Sequence, residues 1–236
     1  MIGIGTSLLF GRRSGKAGPP IPPFNDAMVD AWFMSGLSNV DKPSSIRGVM
    51  GNEMQLKNFV FTSESGFGEG SYEGALVFDG MDDYGICTGL PILDDYTVIC
   101  RREIISIKNS SAVASKRTYP DDVGNFGAFV FERVFSNGSK SIYSFGAPNS
   151  INKFDSNEVV YQTKTSYNGK TITPGSSSDS DTLSLGANAY NISLGRNQEY
   201  SNVAIYYFAL YNKSLTPEEI EIEKERLNEE WLKRKN

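Results

Sequence analysis

From residue 28 onward the chain sets short apolar runs between clusters of Gly, Asn, Asp, Ser and Pro, the pattern of many short strands joined by turns. The runs predict strands over Met28–Phe33, Met54–Phe59, Ala75–Phe78, Tyr84–Cys87, Tyr96–Arg101, Ala112–Ser115, Ala128–Arg133, Ser141–Phe145, Val159–Thr165, Asn191–Leu194 and Val203–Tyr211. Eleven strands without intervening helices imply two packed antiparallel sheets. Asn168-Gly169 supplies the positive-φ pair of a tight hairpin, and 173–181, rich in serine and aspartate, reads as a polar loop. Gly66-Phe67-Gly68-Glu69-Gly70 is followed by neither Lys-Ser/Thr nor a helix, so it reads as a flexible loop and not as a phosphate cradle.

The pattern changes at both ends. Thr216-Pro217-Glu218-Glu219 combines an N-cap hydroxyl, proline at the first helical position and Glu three residues after the cap, which predicts a helix over 217–234. Acidic residues lead that helix and Lys233, Arg234 and Lys235 end it, as the macrodipole favours. Ile220, Leu227 and Trp231 then share one face. At the other end, 1–23 reads as an extended arm outside the 24–236 sandwich, because Gly18-Pro19-Pro20-Ile21-Pro22-Pro23 favours a stiff spacer over a strand. Arg12 and Arg13 follow the apolar stretch of the arm instead of preceding it, which inverts the layout of a secretory signal, so the arm is expected to be retained. Ile2, Ile4, Leu8, Leu9, Phe10, Arg12 and Arg13 are its expected anchors on a partner, fixed prolines lowering the entropy lost on docking.

Leu76-Val77-Phe78-Asp79-Gly80-Met81-Asp82-Asp83-Tyr84 resembles the Leu-x-Phe-Asp-Gly-x-Asp-Asp-Tyr hairpin of the LamG-like, concanavalin A-type family. Tyr96–Cys100 is similar to a strand of that family, and 205–220 to its closing strand and helix. The resemblance covers 28–228 and implies an all-β, two-sheet antiparallel jelly-roll sandwich with a C-terminal helix. The whole chain is also similar to small LamG-like structural proteins of tailed, crAss-like bacteriophages. That resemblance implies a virion protein, a capsid decoration, head fibre or tail component joined to other virion proteins through its arm, as a homo-oligomer or within a large assembly.

The Asp79, Asp82 and Asp83 carboxylates admit two readings, acceptors for turn amides or a calcium site, since calcium takes six to eight oxygens. Tyr119, Tyr190 and Tyr200, expected exposed in loops, are candidates for stacking on sugar rings, or ordinary loop aromatics. The absence of histidine removes Ser-His-Asp and Cys-His machinery and the usual zinc sites. Carboxylates at period two occur at Glu219, Glu221 and Glu223, but on a helix they diverge and cannot flank a glycosidic bond. A net charge of -5 offers phosphates no general attraction, and no apolar run is long enough to span a bilayer. Cys87 and Cys100 are expected to be buried free thiols. The reading is therefore a non-enzymatic virion module that binds surface glycans, the alternatives being a lectin-like module of a cell surface and, behind it, a glycoside hydrolase.

Overall fold

A computed structural model describes residues 24–107, 111–117, 127–135, 137–155, 158–188 and 200–236. Its strands are β1 (Met28–Phe33), β2 (Ser45–Arg47), β3 (Glu53–Lys57), β4 (Gly66–Phe67), β5 (Leu76–Asp79), β6 (Tyr84–Cys87), β7 (Thr97–Ile107) and β8 (Ala112–Lys116). They continue with β9 (Phe129–Val134), β10 (Lys140–Ser144), β11 (Ala147–Ile151), β12 (Val159–Thr163), β13 (Ser166–Tyr167), β14 (Lys170–Thr171), β15 (Leu183–Leu185) and β16 (Ser201–Tyr211), before the helix α1 (Pro217–Lys235). One sheet runs β14-β13-β12-β7-β16-β5-β4, with β1 also paired to β16, and the other β11-β10-β9-β8-β15-β6-β3-β2. Every pairing is antiparallel, as the alternating runs require.

The central strand β16 shows how the sequence makes three layers. Val203 and Ile205 point between the sheets and join Leu76, Phe78, Phe129 and Leu185 in the main core, while Ala204 and Tyr206 face outward. A register shift against β7 between Ile205 and Tyr207 lets Tyr206 and Tyr207 both face outward, after which Phe208 and Leu210 return to the core. The outer face so formed is apolar, and α1 covers part of it with Ile220, Leu227 and Trp231, the face expected from their spacing. Trp231 Nε1 donates to the Gly74 carbonyl at 2.9 Å. A Cβ on Gly74, whose φ is +83°, would lie 2.9 Å from the indole, so this approach needs glycine. The predicted cap is present: Thr216 Oγ1 accepts from Glu219 N at 3.2 Å and Glu219 Oε2 from Thr216 N at 2.8 Å. Among the described residues no helix is long and apolar enough to cross a membrane.

Two expectations need correction. The Asp79–Asp83 turn does not close a hairpin: β5 belongs to the first sheet and β6 to the second, so the turn is a corner between sheets. Leu76 and Phe78 face the core, and on β6 the inward positions are Gly85, set against Met54 and Leu185, and Cys87. The segment after residue 65 is no simple loop, since Gly66–Phe67 pairs with β5 and a 3-10 turn follows at Gly70–Tyr72. The short β2, β4, β11, β13, β14 and β15 went unpredicted because two to five residues carry little periodicity. The predicted strand at Asn191–Leu194 lies outside the described residues.

Cys87 and Cys100 are both buried as free thiols, and burial pushes Cys87 up to about 11 and Cys100 higher still. The interior also holds charge. Arg102 Nε donates to Glu132 Oε2 at 2.8 Å, a second guanidinium nitrogen reaches Glu132 Oε1, and the Tyr167 hydroxyl donates to Oε1 at 2.6 Å. A bulge sets two β9 residues against Ile142 of β10, and Glu132, at φ +50°, turns inward there beside Phe131. Lys116, equally buried, bonds Asp179, the Ser180 carbonyl and the Pro91 carbonyl.

Candidate functional site

The outer face of the first sheet continues past the part sealed by α1, and there it is open. Val77 and Asp79 of β5 point outward, and Asn202 of β16 stands directly across the strand pair from Asp79. These three residues line a pocket of about 380 Å³ whose rim includes Val60, Met81 and Ile105. Those rim side chains are exposed by 66%, 63% and 39%, a grouping of apolar surface with no cover among the described residues. Tyr72, packed against the cluster beneath α1, and Ser65 also line the pocket. Glu64 adds a second carboxylate.

The corner between the sheets supplies the polar wall. Asp79 Oδ1 accepts from Met81 N at 2.7 Å and from Asp82 N at 3.4 Å, and Asp83 Oδ2 reaches back to Asp79 N at 3.0 Å. The Asx-turn reading of these aspartates is therefore correct for Asp79. Gly80, at φ +71°, passes so close to β16 that a Cβ would lie 3.0 Å from Asn202 N. The structure brings all three predicted aspartates together, with a carboxylate oxygen of each lying within 4.8 Å of the others. Asp82 is exposed, Asp79 half-buried and Asp83 fully buried.

Burial raises the Asp83 carboxyl to about 7, and the negative charges of Asp79 and Asp82 push the same way, against the Asp79 amide and the Ser65 hydroxyl, which pull it down. Asp83 Oδ1 and Asn202 Oδ1 are both buried without a hydrogen-bond partner. The result is a concave surface with an acidic wall, an Asn202 side chain and an apolar rim. It can hold a ligand that presents hydroxyl or amide donors beside C–H faces.

Of the other predicted residues, Tyr200 is not an exposed loop aromatic. It is 9% exposed, bridges to Ala187 and lies against Tyr84 with ring centroids 6.2 Å apart. Tyr119 and Tyr190 lie outside the described residues, as do Ile2, Ile4, Leu8, Leu9, Phe10, Arg12 and Arg13. Asn202, Ser65, Tyr72 and Glu64 were missed. No local motif marks them, for the pocket exists only after β4, β5, β7 and β16 are assembled.

No protein-family model matches the sequence, and no curated protein matches it. Among solved structures the fold is similar to that of Trypanosoma rangeli sialidase in complex with sialic acid, with a TM-score of 0.55 at 12% identity over 86% of this chain and 33% of that one. A mutant of the same sialidase displaying trans-sialidase activity gives 0.53 at 14% identity, over 82% and 32%. The binding domain of botulinum neurotoxin DC in complex with SialylT gives 0.48 at 12% identity, over 84% and 50%, too loose a likeness to carry weight. This chain spans about a third of the sialidase chains it matches. The likeness establishes the β-sandwich fold.

Proposed function

We propose that this sandwich is a non-enzymatic glycan-binding module. The observation that carries the reading is the pocket beside the Asp79 corner, where Asp79, Glu64 and Asn202 line a concavity rimmed by Val60, Met81 and Ile105. Sugars present hydroxyl donors and weakly apolar C–H faces together, which is the complement of such a surface. Architecture shared with part of a sialidase solved with sialic acid supports the same class of ligand.

Binding without turnover is supported by where the buried carboxylates sit. A retaining glycosidase places two carboxyl groups about 5 Å apart across the scissile bond. Asp83, raised toward neutrality as a general acid would be, is wholly buried and not part of the pocket lining. Glu132, another buried acid, is committed to Arg102 and Tyr167.

A glycan array on the full chain tests the reading. Binding of a defined glycan is expected, and Asn202→Ala should weaken it at least about tenfold, the worth of one buried hydrogen bond to a ligand. A blank array sinks the proposal. Hydrolysis of a bound glycan, abolished by Glu64→Gln with binding retained, replaces it by an enzymatic one.

We further propose that the module is a projecting part of a virus particle, joined to it by the arm at 1–23. The support is the basic, proline-rich composition of that arm and the resemblance to structural proteins of tailed phages. Loss of particle incorporation on deleting 1–23 is expected, and unimpaired incorporation overturns it.

A further inference from the structure

The backbone of the 58–65 loop itself presents the apolar rim of the pocket. Phe59 packs on Phe78 with ring centroids 5.2 Å apart and Phe61 stacks on Phe67 at 6.4 Å, so the residues on either side of Val60 are drawn toward the core. Phe61 reaches that position at φ +59°, a conformation uncommon for a residue other than glycine. Val60 N donates to Ser65 Oγ at 3.1 Å and Thr62 N to the Ser65 carbonyl at 2.9 Å. These bonds close the loop and leave the Val60 side chain exposed between two anchored neighbours. Met81 from the corner and Ile105 from β7 share the rim with it.

Three aliphatic side chains around one opening suit a small protruding apolar group best. The C–H face of a plain hexose gains most from a flat ring, and the one aromatic among the described lining residues, Tyr72, is packed against the cluster beneath α1. A methyl group asks only for enclosure by aliphatic carbon. Beside the rim, Thr62 and Ser63 carry hydroxyls that can donate, while Asp79 and Glu64 carry carboxylates that can accept. An acetamido group combines all three demands, with its methyl, its N–H and its carbonyl. The pocket volume of about 380 Å³ lies near the lower end for small-ligand sites, which suits a short stretch of saccharide.

The pocket is also one-sided in charge. No lysine or arginine is among its described lining residues, and among the described residues neither Glu64 nor Asp79 forms an ion pair. A ligand carboxylate entering here meets like charge and no cation, which works against it wherever water is partly displaced. Resting on the glycan reading above, we propose that the pocket takes an uncharged sugar bearing an N-acetyl group, an N-acetylhexosamine unit, and rejects acidic sugars. Sialic acid offers the same acetamido group but adds a carboxylate for which the lining holds no counter-charge.

Calorimetry on the full chain with matched ligands tests this. A chitin oligosaccharide should bind at least about fivefold tighter than the cellulose oligosaccharide of equal length, which differs only in hydroxyl for acetamido, a margin of about one buried methyl and one hydrogen bond. A hyaluronan oligosaccharide, in which the same N-acetylated unit alternates with a carboxylated one, should bind at least about tenfold more weakly than chitin. Val60→Ser should narrow the first margin to within about twofold, and Glu64→Lys should narrow the second; both change exposed side chains of the pocket. Ile92→Ser, as exposed but outside the pocket, should leave both margins as in the parent. A chitin oligosaccharide bound no tighter than its cellulose counterpart overturns the proposal, as does hyaluronan bound as tightly as chitin, or margins unmoved by Val60→Ser and Glu64→Lys. Any of these with some saccharide still bound leaves the glycan reading standing, whereas a blank glycan array overturns both.

Discussion

Glu132 and Asp83 are both carboxylates with no solvent exposure, in the same sandwich, with opposite surroundings. Around Glu132 the chain places a guanidinium and a phenol, so every electrostatic demand is met from within. Around Asp83 it places one amide, one hydroxyl and two like charges. The first arrangement gains nothing from a ligand and specifies structure. The second is held at a cost that a proton relieves.

The largest break in this comparison comes from unbalancing the satisfied side. Arg102→Met leaves Glu132 buried with Tyr167 as its remaining side-chain donor, and should cost about 3–5 kcal/mol in urea unfolding. Adding Glu132→Met removes the stranded charge and should recover most of that loss. A double variant as unstable as the single one would show that the pair fixes the bulge of β9 and not merely its own charges.

Part of the contrast was legible in the sequence. Asp79, Asp82 and Asp83 lie within five residues and could be recognised as one acidic turn, just as Thr216 and Glu219 announced the cap of α1. Local hydrogen bonds need only local spacing. What alternation could not tell was that the strands flanking the turn belong to different sheets, because period two assigns a residue to a face without naming its partner strand. Asn202 and Tyr200 sit near each other in sequence, yet one lines the pocket and the other packs away from solvent, which only β16 and the Ala187 bridge decide. Glu132 reads as an ordinary charged strand residue and Arg102 falls just past the predicted Tyr96–Arg101 strand, until the register of β7 and the bulge of β9 turn both inward.

Repairing the unsatisfied side should raise stability by a smaller amount. Asp83→Asn keeps an oxygen for the Asp79 amide, removes a buried charge, and offers its nitrogen to neighbouring carboxylates. At pH 8 in chelator the variant should be about 1–3 kcal/mol more stable than the parent. The Asp83 carboxyl goes from an ordinary 3.8 to about 7 on folding, so between these values the native state holds more proton than the unfolded one. Stability of the parent therefore falls as pH rises from about 4 to about 7, and Asp83→Asn should lack that component of the slope. Equal slopes in the two proteins would place the pH dependence elsewhere.

The smallest effect sharpens the comparison most. Asp82 belongs to the same carboxylate cluster as Asp83 but is solvent-exposed, so water screens its repulsion and no desolvation is relieved when its charge is removed. Asp82→Asn should then change stability in chelator by less than about 0.5 kcal/mol. Two neighbouring aspartates of one turn thus separate by burial: Asp83 governs the stability of the corner, while Asp82 does not. A large effect of Asp82→Asn in chelator would mean that the repulsion spans the whole turn and that burial of Asp83 is not what distinguishes it from Glu132.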